Sequence, residues 1–478
     1  MNEEQNPLEK VFSTARTKDW KYCIWKGSAK LSEVLEAHED LDLLVDVADI
    51  HAIIAHLGEH RFFEVTKPKC RSDIGARDFY CLNSSGHIYH VHLHTKVIFG
   101  NALARNYHLP IEHDVLAKRQ WNASYGVWCA APEHDQFLFL CRHLVRQNLT
   151  RSNSFLPEFK KVQDFHADHS LDPDLVPDIV PSVRAGLLAS QISAGTISEL
   201  AKSIKMELKP FRLKAQFLPK LLAFISLAWI AVMRRIGFRE TGGSVITSGG
   251  LMVAFTGIDG SGKSSALARF KKRFSNRIGI VTITMGSGQS GAGVIRQILF
   301  YLVGSKAKFN GHVSLRRESR NGNKPKRFPW YYQLWLIICL WEKRTELRRG
   351  LNGVRRGKIV LVDRWLQTQC KDGIDAPRTL NMIVDTWLSK YLLNLEADIF
   401  RVSNALRPDL LFILDVSAKN STIRKPDDLS LEKAHEAREK LLSVHWNALK
   451  IISIDANMPI EIVDMHVVSS INKAILGL

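Results

Sequence analysis

The octapeptide Gly257-Ile258-Asp259-Gly260-Ser261-Gly262-Lys263-Ser264 constrains this chain more than any other feature. It has the spacing G-x-x-x-x-G-K-[ST] of a phosphate-binding loop. The apolar run Leu251-Met252-Val253-Ala254-Phe255 before it reads as a buried strand. Ser265-Ala266-Leu267-Ala268-Arg269-Phe270 after it reads as the start of a helix. Glycines allow backbone N–H groups to converge on an anion, and a helix N-terminus adds partial positive charge. In such a loop Lys263 is expected to neutralise the β- and γ-phosphates and Ser264 to hold a metal, so ATP and Mg²⁺ are the expected cofactors. The candidate nucleotide-binding residues are Gly257, Asp259, Gly260, Ser261, Gly262, Lys263, Ser264 and Ser265.

At 478 residues the chain is too long for one ordinary domain. Residues 1–130 mix strand-like runs (Tyr22-Cys23-Ile24-Trp25, Leu41 to Val45, Ile88 to Leu93) with a helical patch from Val47 to Leu57. Residues 131–244 are helical in pattern and punctuated by prolines, and they read as a connector ending in the linker Arg239 to Ser244. From Val245 to the end, strands and helices alternate, an order that predicts a parallel sheet covered by helices.

Three more strands are legible in that last region: Ile359 to Val362, Leu410 to Leu414 and Ile451 to Ile454. The first ends in Asp363-Arg364-Trp365. A carboxylate at the C-terminal edge of such a strand lies beside the phosphate loop and can join the Mg²⁺ shell. Arg364 beside it can grip a phosphate. F-T-G-I-D-G-S-G-K-S-S, D-R-W, R-P-D-L-L-F-I-L-D-V, R-K-P and I-D-A, in that order, resemble the thymidylate kinase family over roughly residues 250–478. The resemblance implies a P-loop kinase fold. It gives Asp259 a place facing the acceptor's sugar hydroxyl, Asp363 and Arg364 a place near acceptor phosphate and metal, and Arg424 a place in the lid. Arg344 roughly matches a helix arginine that binds acceptor phosphate. Two departures stand out. The stretch Met285 to Gly291 lacks the family's glutamate-proline-glycine-glycine turn, and a basic insertion runs from Arg316 to Arg327. Both speak against a thymidylate acceptor. Asp409 and Asp415 read as turn residues rather than ligands.

Near the N-terminus, Gly27-Ser28 precedes Asp40-Leu41-Asp42-Leu43. Alternation along a strand puts Asp40 and Asp42 on one face, where two carboxylates can share divalent metal for attack on a nucleotide phosphate. The pattern resembles the nucleotidyltransferase superfamily, which implies roles in nucleotide binding for Gly27 and Ser28 and in metal binding and catalysis for Asp40 and Asp42. The strand expected to bring a third carboxylate reads His87-Ile88-Tyr89-His90-Val91-His92-Leu93-His94, with histidines instead. These could ligate a metal or form a polar strand face. W-K-G-S, D-L-D-L-L-V and H-V-H-L-H ahead of a kinase-like domain resemble bacterial two-domain proteins found with surface-polysaccharide genes. The expected fold class is therefore α/β: an N-terminal α+β nucleotidyltransferase-like domain (1–130), a helical connector (131–244) and a C-terminal P-loop kinase fold with a parallel sheet (245–478).

The formal net charge of +18 favours acidic partners. No helix-turn-helix or aromatic-basic motif points to nucleic acid. Leu221 to Met233 is an apolar run between Lys220 and Arg234-Arg235, too short for a spanning helix. It reads either as a packed helix or as an interfacial helix whose arginines meet headgroup phosphates. Seven scattered cysteines with no C-x-x-C pair read as reduced cytoplasmic thiols, and no signal peptide is expected. The expected function is an ATP- and Mg²⁺-dependent phosphotransferase acting on a small acceptor, a nucleoside monophosphate or a sugar or sugar phosphate, with nucleotidyl transfer as a second activity and surface-polysaccharide synthesis as the setting. The competing reading is a nucleotide-binding regulator at a membrane-associated assembly. Expected partners are the small-molecule acceptor and the inner-membrane surface as a peripheral contact; a dimer is left open.

Overall fold

A computed structural model describes residues 6–67, 75–82, 87–101, 104–146, 155–189, 192–193, 196–213, 222, 225, 228–229, 232, 244–286, 327–370, 375–426 and 430–477. The chain divides into two compact units, Met1–Thr247 and Ser248–Leu478.

The first unit is built on a mixed eight-stranded sheet. Its strands are β1 (Tyr22–Lys26), β2 (Leu41–Val45), β3 (Phe63–Thr66), β4 (Ala76–Leu82) and β5 (Ile88–His94), then, after the separate hairpin β6 (Val97–Asn101) and β7 (Ala104–Leu109), β8 (Gln120–Asn122), β9 (Val127–Cys129) and β10 (Val245–Ile246). The order is β10-β3-β4-β5-β2-β1-β9-β8. Strand alternation sends successive side chains to opposite faces. In β1, Cys23 and Trp25 enter one hydrophobic core while Tyr22 and Ile24 enter another. The first core is completed by Phe137, Leu140, Leu144, Phe159, Val183 and Ile204 from the helices Pro132–Arg146, Phe155–Phe165, Pro181–Leu188 and Ile197–Glu207. The second takes Leu8, Val11 and Phe12 from the helix Pro7–Ala15 and Ile53 and Leu57 from Ile50–Glu59. The described helices of the segment read as a connector thus form one layer of the first unit, because their apolar residues share a core with Cys23 and Trp25 of β1, Leu44 of β2 and Val97, Phe99 and Leu109 of the hairpin. The boundary also moves. Val245 and Ile246 pair antiparallel with Thr66 and Val65, so they extend the first sheet rather than open the second unit.

The second unit is an all-parallel sheet of β11 (Leu251–Thr256), β12 (Ile280–Thr284), β13 (Ile359–Asp363), β14 (Leu410–Asp415) and β15 (Lys450–Asp455), in the order β12-β13-β11-β14-β15. The central strands β11, β13 and β14 are buried along nearly their whole length, as strands covered on both faces must be. Their runs of Val, Leu, Ile and Phe made them legible without an alternation signal. Together the two sheets bear out the α/β class.

Among the described residues no helix is long and apolar enough to cross a membrane. Most of the run 221–233 and of the linker 239–244 lies outside them. Of the run, Leu222, Ile225, Trp229 and Val232 are helical and exposed. The stretch 287–291 and residues 316–326 also fall outside. Of the cysteines, Cys23, Cys81, Cys129, Cys141, Cys339 and Cys370 are free thiols.

Candidate phosphate site and a histidine–aspartate cluster

The order of the second sheet carries the chain ends β11, β13 and β14 to one edge. There β11 runs into the glycine loop and β13 delivers Asp363, in register with Phe255 and Thr284. The loop leaves no space for side chains at two of its glycines. A Cβ on Gly257 would lie 2.5 Å from Ser261 Oγ and 2.7 Å from the Leu414 carbonyl, and one on Gly260 would lie 2.8 Å from the Ser421 carbonyl. Gly260 and Gly262 have φ of 83° and 87°, which glycine adopts at little cost.

Lys263 opens the helix Lys263–Phe274 and is only 5% exposed. Its Nζ donates to the carbonyls of Gly257 and Ile258, both at 2.8 Å, and to Ser261 Oγ at 3.3 Å. Burial and the Arg364 guanidinium push its pKa down to about 8, against the pull of Asp259, Asp363 and Asp375. Ser264 Oγ donates to Asp363 Oδ2 at 3.1 Å. The other oxygen of that carboxylate, Oδ1, is buried with no hydrogen-bond partner among the described residues. The hydroxyl and the carboxylate singled out as metal ligands therefore meet, and one oxygen remains to be satisfied.

Arg364 has φ of 72°, a left-handed conformation unusual for a side chain of this size. The strained turn aims its guanidinium at Asp259, with Nη2 2.5 Å from Oδ1. Burial alone would raise the Asp259 pKa, but Arg364 and Lys263 hold it below the usual carboxylate range. Asp375, absent from the sequence reading, is a second left-handed residue at φ 63° and lies 3.7 Å from Arg364 Nη1. Residues held in this sparsely populated region recur at active sites and ligand clamps, and here two of them meet beside the glycine loop.

Arg424, expected in a lid, ends the helix Ala418–Arg424. It donates to the carbonyls of Ala456 at 3.0 Å and Gly260 at 3.4 Å. Ser421 on the same helix donates to the Asp259 carbonyl at 2.6 Å. Ser265 is exposed in the first turn after the loop, and Arg344 is exposed on the helix Trp330–Arg355. It is the neighbouring Lys343 that burial and Arg378 push down to about 8, opposed by Asp375 and Glu396. Asp409 accepts from the Met252 N–H at 2.7 Å and Asp415 pairs bidentately with Arg438, so both act as structural clamps.

In the first unit β2 and β5 are parallel, with Asp42 opposite His92. Lys26 Nζ lies 2.8 Å and His94 Nε2 2.7 Å from Asp42 Oδ1. Burial would raise the Asp42 pKa, yet Lys26 and His94 hold it well below the usual range; burial pushes His94 down to about 3, so it is neutral. Asp40 sits 3.0 Å from His90 Nδ1 and 3.8 Å from His92 Nε2. Antiparallel β4 adds Asp78, a buried carboxylate that sequence reasoning missed. Its Oδ1 is 2.9 Å from His90 Nε2, 3.0 Å from His92 Nδ1 and 2.8 Å from Lys67 Nζ.

Gly27, with φ of 73°, caps the short turn that carries Ser28. The Ser28 hydroxyl is 1% exposed and donates to Asp135 Oδ2, which also contacts His166 Nε2 at 3.0 Å. That hydroxyl is committed to holding the loop on the helix Pro132–Arg146.

No protein-family model matches the chain. It is similar to a thymidylate kinase of Chlorobium limicola, with 25% identity over 192 residues that cover 40% of this chain and 71% of that protein. This distant likeness agrees with the loop, the Ser264–Asp363 pair and the parallel sheet in pointing to nucleotide-kinase-like phosphotransfer.

Proposed function

We propose that the second unit is an ATP- and Mg²⁺-dependent phosphotransferase that moves the γ-phosphoryl group of ATP to a small acceptor, a nucleoside monophosphate or a sugar or sugar phosphate. The observation that carries this reading is the meeting of Ser264 and Asp363 beside a buried Lys263 at the mouth of a glycine loop. The metal fits the site: Mg²⁺ takes hard oxygen ligands and keeps several waters, and a hydroxyl with a half-satisfied carboxylate is such a donor set. When bound, it would neutralise charge between the β- and γ-phosphates. Lys263 would leave its carbonyl partners for phosphate oxygens. Arg364 and Asp259 line the acceptor side, the guanidinium toward an anion and the carboxylate toward a hydroxyl. Arg424 is anchored on the loop itself through the Gly260 carbonyl, and it would turn from there to the transferring charge. Catalysis on such a site is positioning and charge stabilisation.

The first unit supports nucleotidyl transfer less well. Asp42 is already balanced by Lys26 and His94, and Ser28 is tied to Asp135.

The test is incubation with γ-labelled ATP and a panel of nucleoside monophosphates, sugars and sugar phosphates. Label is expected on one acceptor class. Tight ATP binding with no acceptor labelled, together with binding to anionic liposomes, would favour the regulator instead. Asp363→Asn is expected to raise the Mg²⁺ concentration for half-maximal transfer by about 10-fold or more, since an amide is a neutral and weaker ligand. An unchanged Mg²⁺ titration would remove Asp363 from the metal shell.

A further inference from the structure

Asp78 gives the histidine strand a meaning beyond a polar face. Its Oδ1 accepts from Nε2 of His90 at 2.9 Å and lies 3.0 Å from Nδ1 of His92 without an in-line hydrogen bond. The remaining nitrogens, Nδ1 of His90 and Nε2 of His92, face the same carboxylate, Asp40. Metal-binding imidazoles are usually held as His90 is, with the far N–H given to a carboxylate that fixes tautomer and orientation. Lys67, 2.8 Å away, balances the charge of Asp78.

We propose that Asp40, His90 and His92 form a binding site for a divalent transition-metal ion. The donor atoms lie within 4.8 Å of one another. Ligands at about 2.0–2.1 Å around a tetrahedral ion stand ~3.4 Å apart; one Asp40 oxygen lies 3.0 Å from His90 Nδ1 and the other 3.8 Å from His92 Nε2, so a small rotation of this half-exposed carboxylate brings one oxygen to both rings. Two imidazoles and one carboxylate suit zinc-, cobalt- or iron-class ions rather than Mg²⁺. The imidazoles are buried, whereas the Asp40 side chain is 39% exposed, which leaves an entry path and an open coordination position on the solvent side. Asp42, His92 and His94 form an alternative set. Lys26 disfavours it, because a cation 2.8 Å from Asp42 repels a second one.

The experiment is titration of chelator-stripped full-length protein with Co²⁺ in excess Mg²⁺, read by visible d–d absorption and by bound-metal analysis. One Co²⁺ per chain is expected, with a melting temperature that rises as the ion binds. Asp78→Asn is expected to weaken binding about 10–100-fold. His92→Gln and Asp40→Asn are each expected to lose the absorption band; Asp40, being partly exposed, can change without threatening the fold. His94→Gln should leave Co²⁺ affinity within about threefold of the parent, an effect far smaller than loss of a ligand. No absorption band, displacement of Co²⁺ by equal Mg²⁺, a band that survives Asp40→Asn, or a band lost with His94→Gln alone would each overturn the assignment.

Discussion

Lys263→Ala is expected to lower phosphoryl transfer by about 10²–10³-fold, the cost of losing one aimed charge at a developing anion, while the protein melts no lower at pH 7. The two effects separate because this ammonium is unwelcome in the free protein. Burial and Arg364 push its pKa to about 8 from an ordinary 10.5. A folded pKa below the unfolded one means that the charged form opposes folding. That cost is fully present below about pH 8 and fades as pH rises toward 10.5. Alanine removes the penalty together with the two 2.8 Å bonds to loop carbonyls, which partly compensate it. Triphosphate binding reverses the preference, since an anion favours the ammonium. The parent should therefore take up protons when it binds nucleotide above about pH 8, and its affinity should fall as pH rises further. Calorimetry in buffers of different ionisation enthalpy reads the proton count. Equal uptake in parent and Lys263→Ala, or equal transfer rates, would take Lys263 out of the phosphate site.

The phosphate site was legible because its signals are local. Strand, loop and helix follow one another within one stretch of chain, and Asp363 announces itself as the polar end of an apolar strand. What the site adds came from pairings distant in sequence. Asp375 meets Arg364 in a pairing that no motif announces. Asp78 meets His90 and His92 because β4 folds back on β5 in one register, and a shift of one residue would turn its carboxylate to the other face. Ser28 and Asp135 are 107 positions apart. The helices after Pro132 illustrate the same limit. Periodicity tells that one face of a helix is buried, not what buries it, so a layer of the first unit read as a connector. Val245–Ile246 is too short to carry any signal; only its bonds to β3 assign it.

Gly250→Ala is expected to destabilise the second unit by ~3 kcal/mol or more, the upper range for overpacking against atoms that cannot yield. An added Cβ would lie 2.3 Å from the Val354 carbonyl oxygen, 2.7 Å from that of Lys358 and 2.7 Å from Val354 Cα. All three are backbone. They belong to the end of the helix Trp330–Arg355 and the turn entering β13, and that turn is tied in place by Gly357 N–H to the Val354 carbonyl at 2.9 Å and by Leu251 N–H to the Lys358 carbonyl at 3.2 Å. Relief therefore requires moving β11 away from β13 or unwinding the helix end. Either displaces the strand that feeds the glycine loop, so nucleotide affinity should fall along with stability. At about 2–4 °C per kcal/mol for a unit of this size, the melting transition of the second unit should drop by roughly 6–12 °C. Hydrogen exchange distinguishes this from a general effect: amides of β11 and β13 should lose protection while those of β1 and β2 keep it. Gly58→Ala supplies the opposite sign. Gly58 lies in the helix Ile50–Glu59 with nothing within 4 Å of the added carbon, so alanine should stabilise the first unit by about 0.5–1 kcal/mol. If Gly250→Ala proved as harmless as Gly58→Ala, the close approach of the helix end to β11 would be wrong, and with it the support under the phosphate loop.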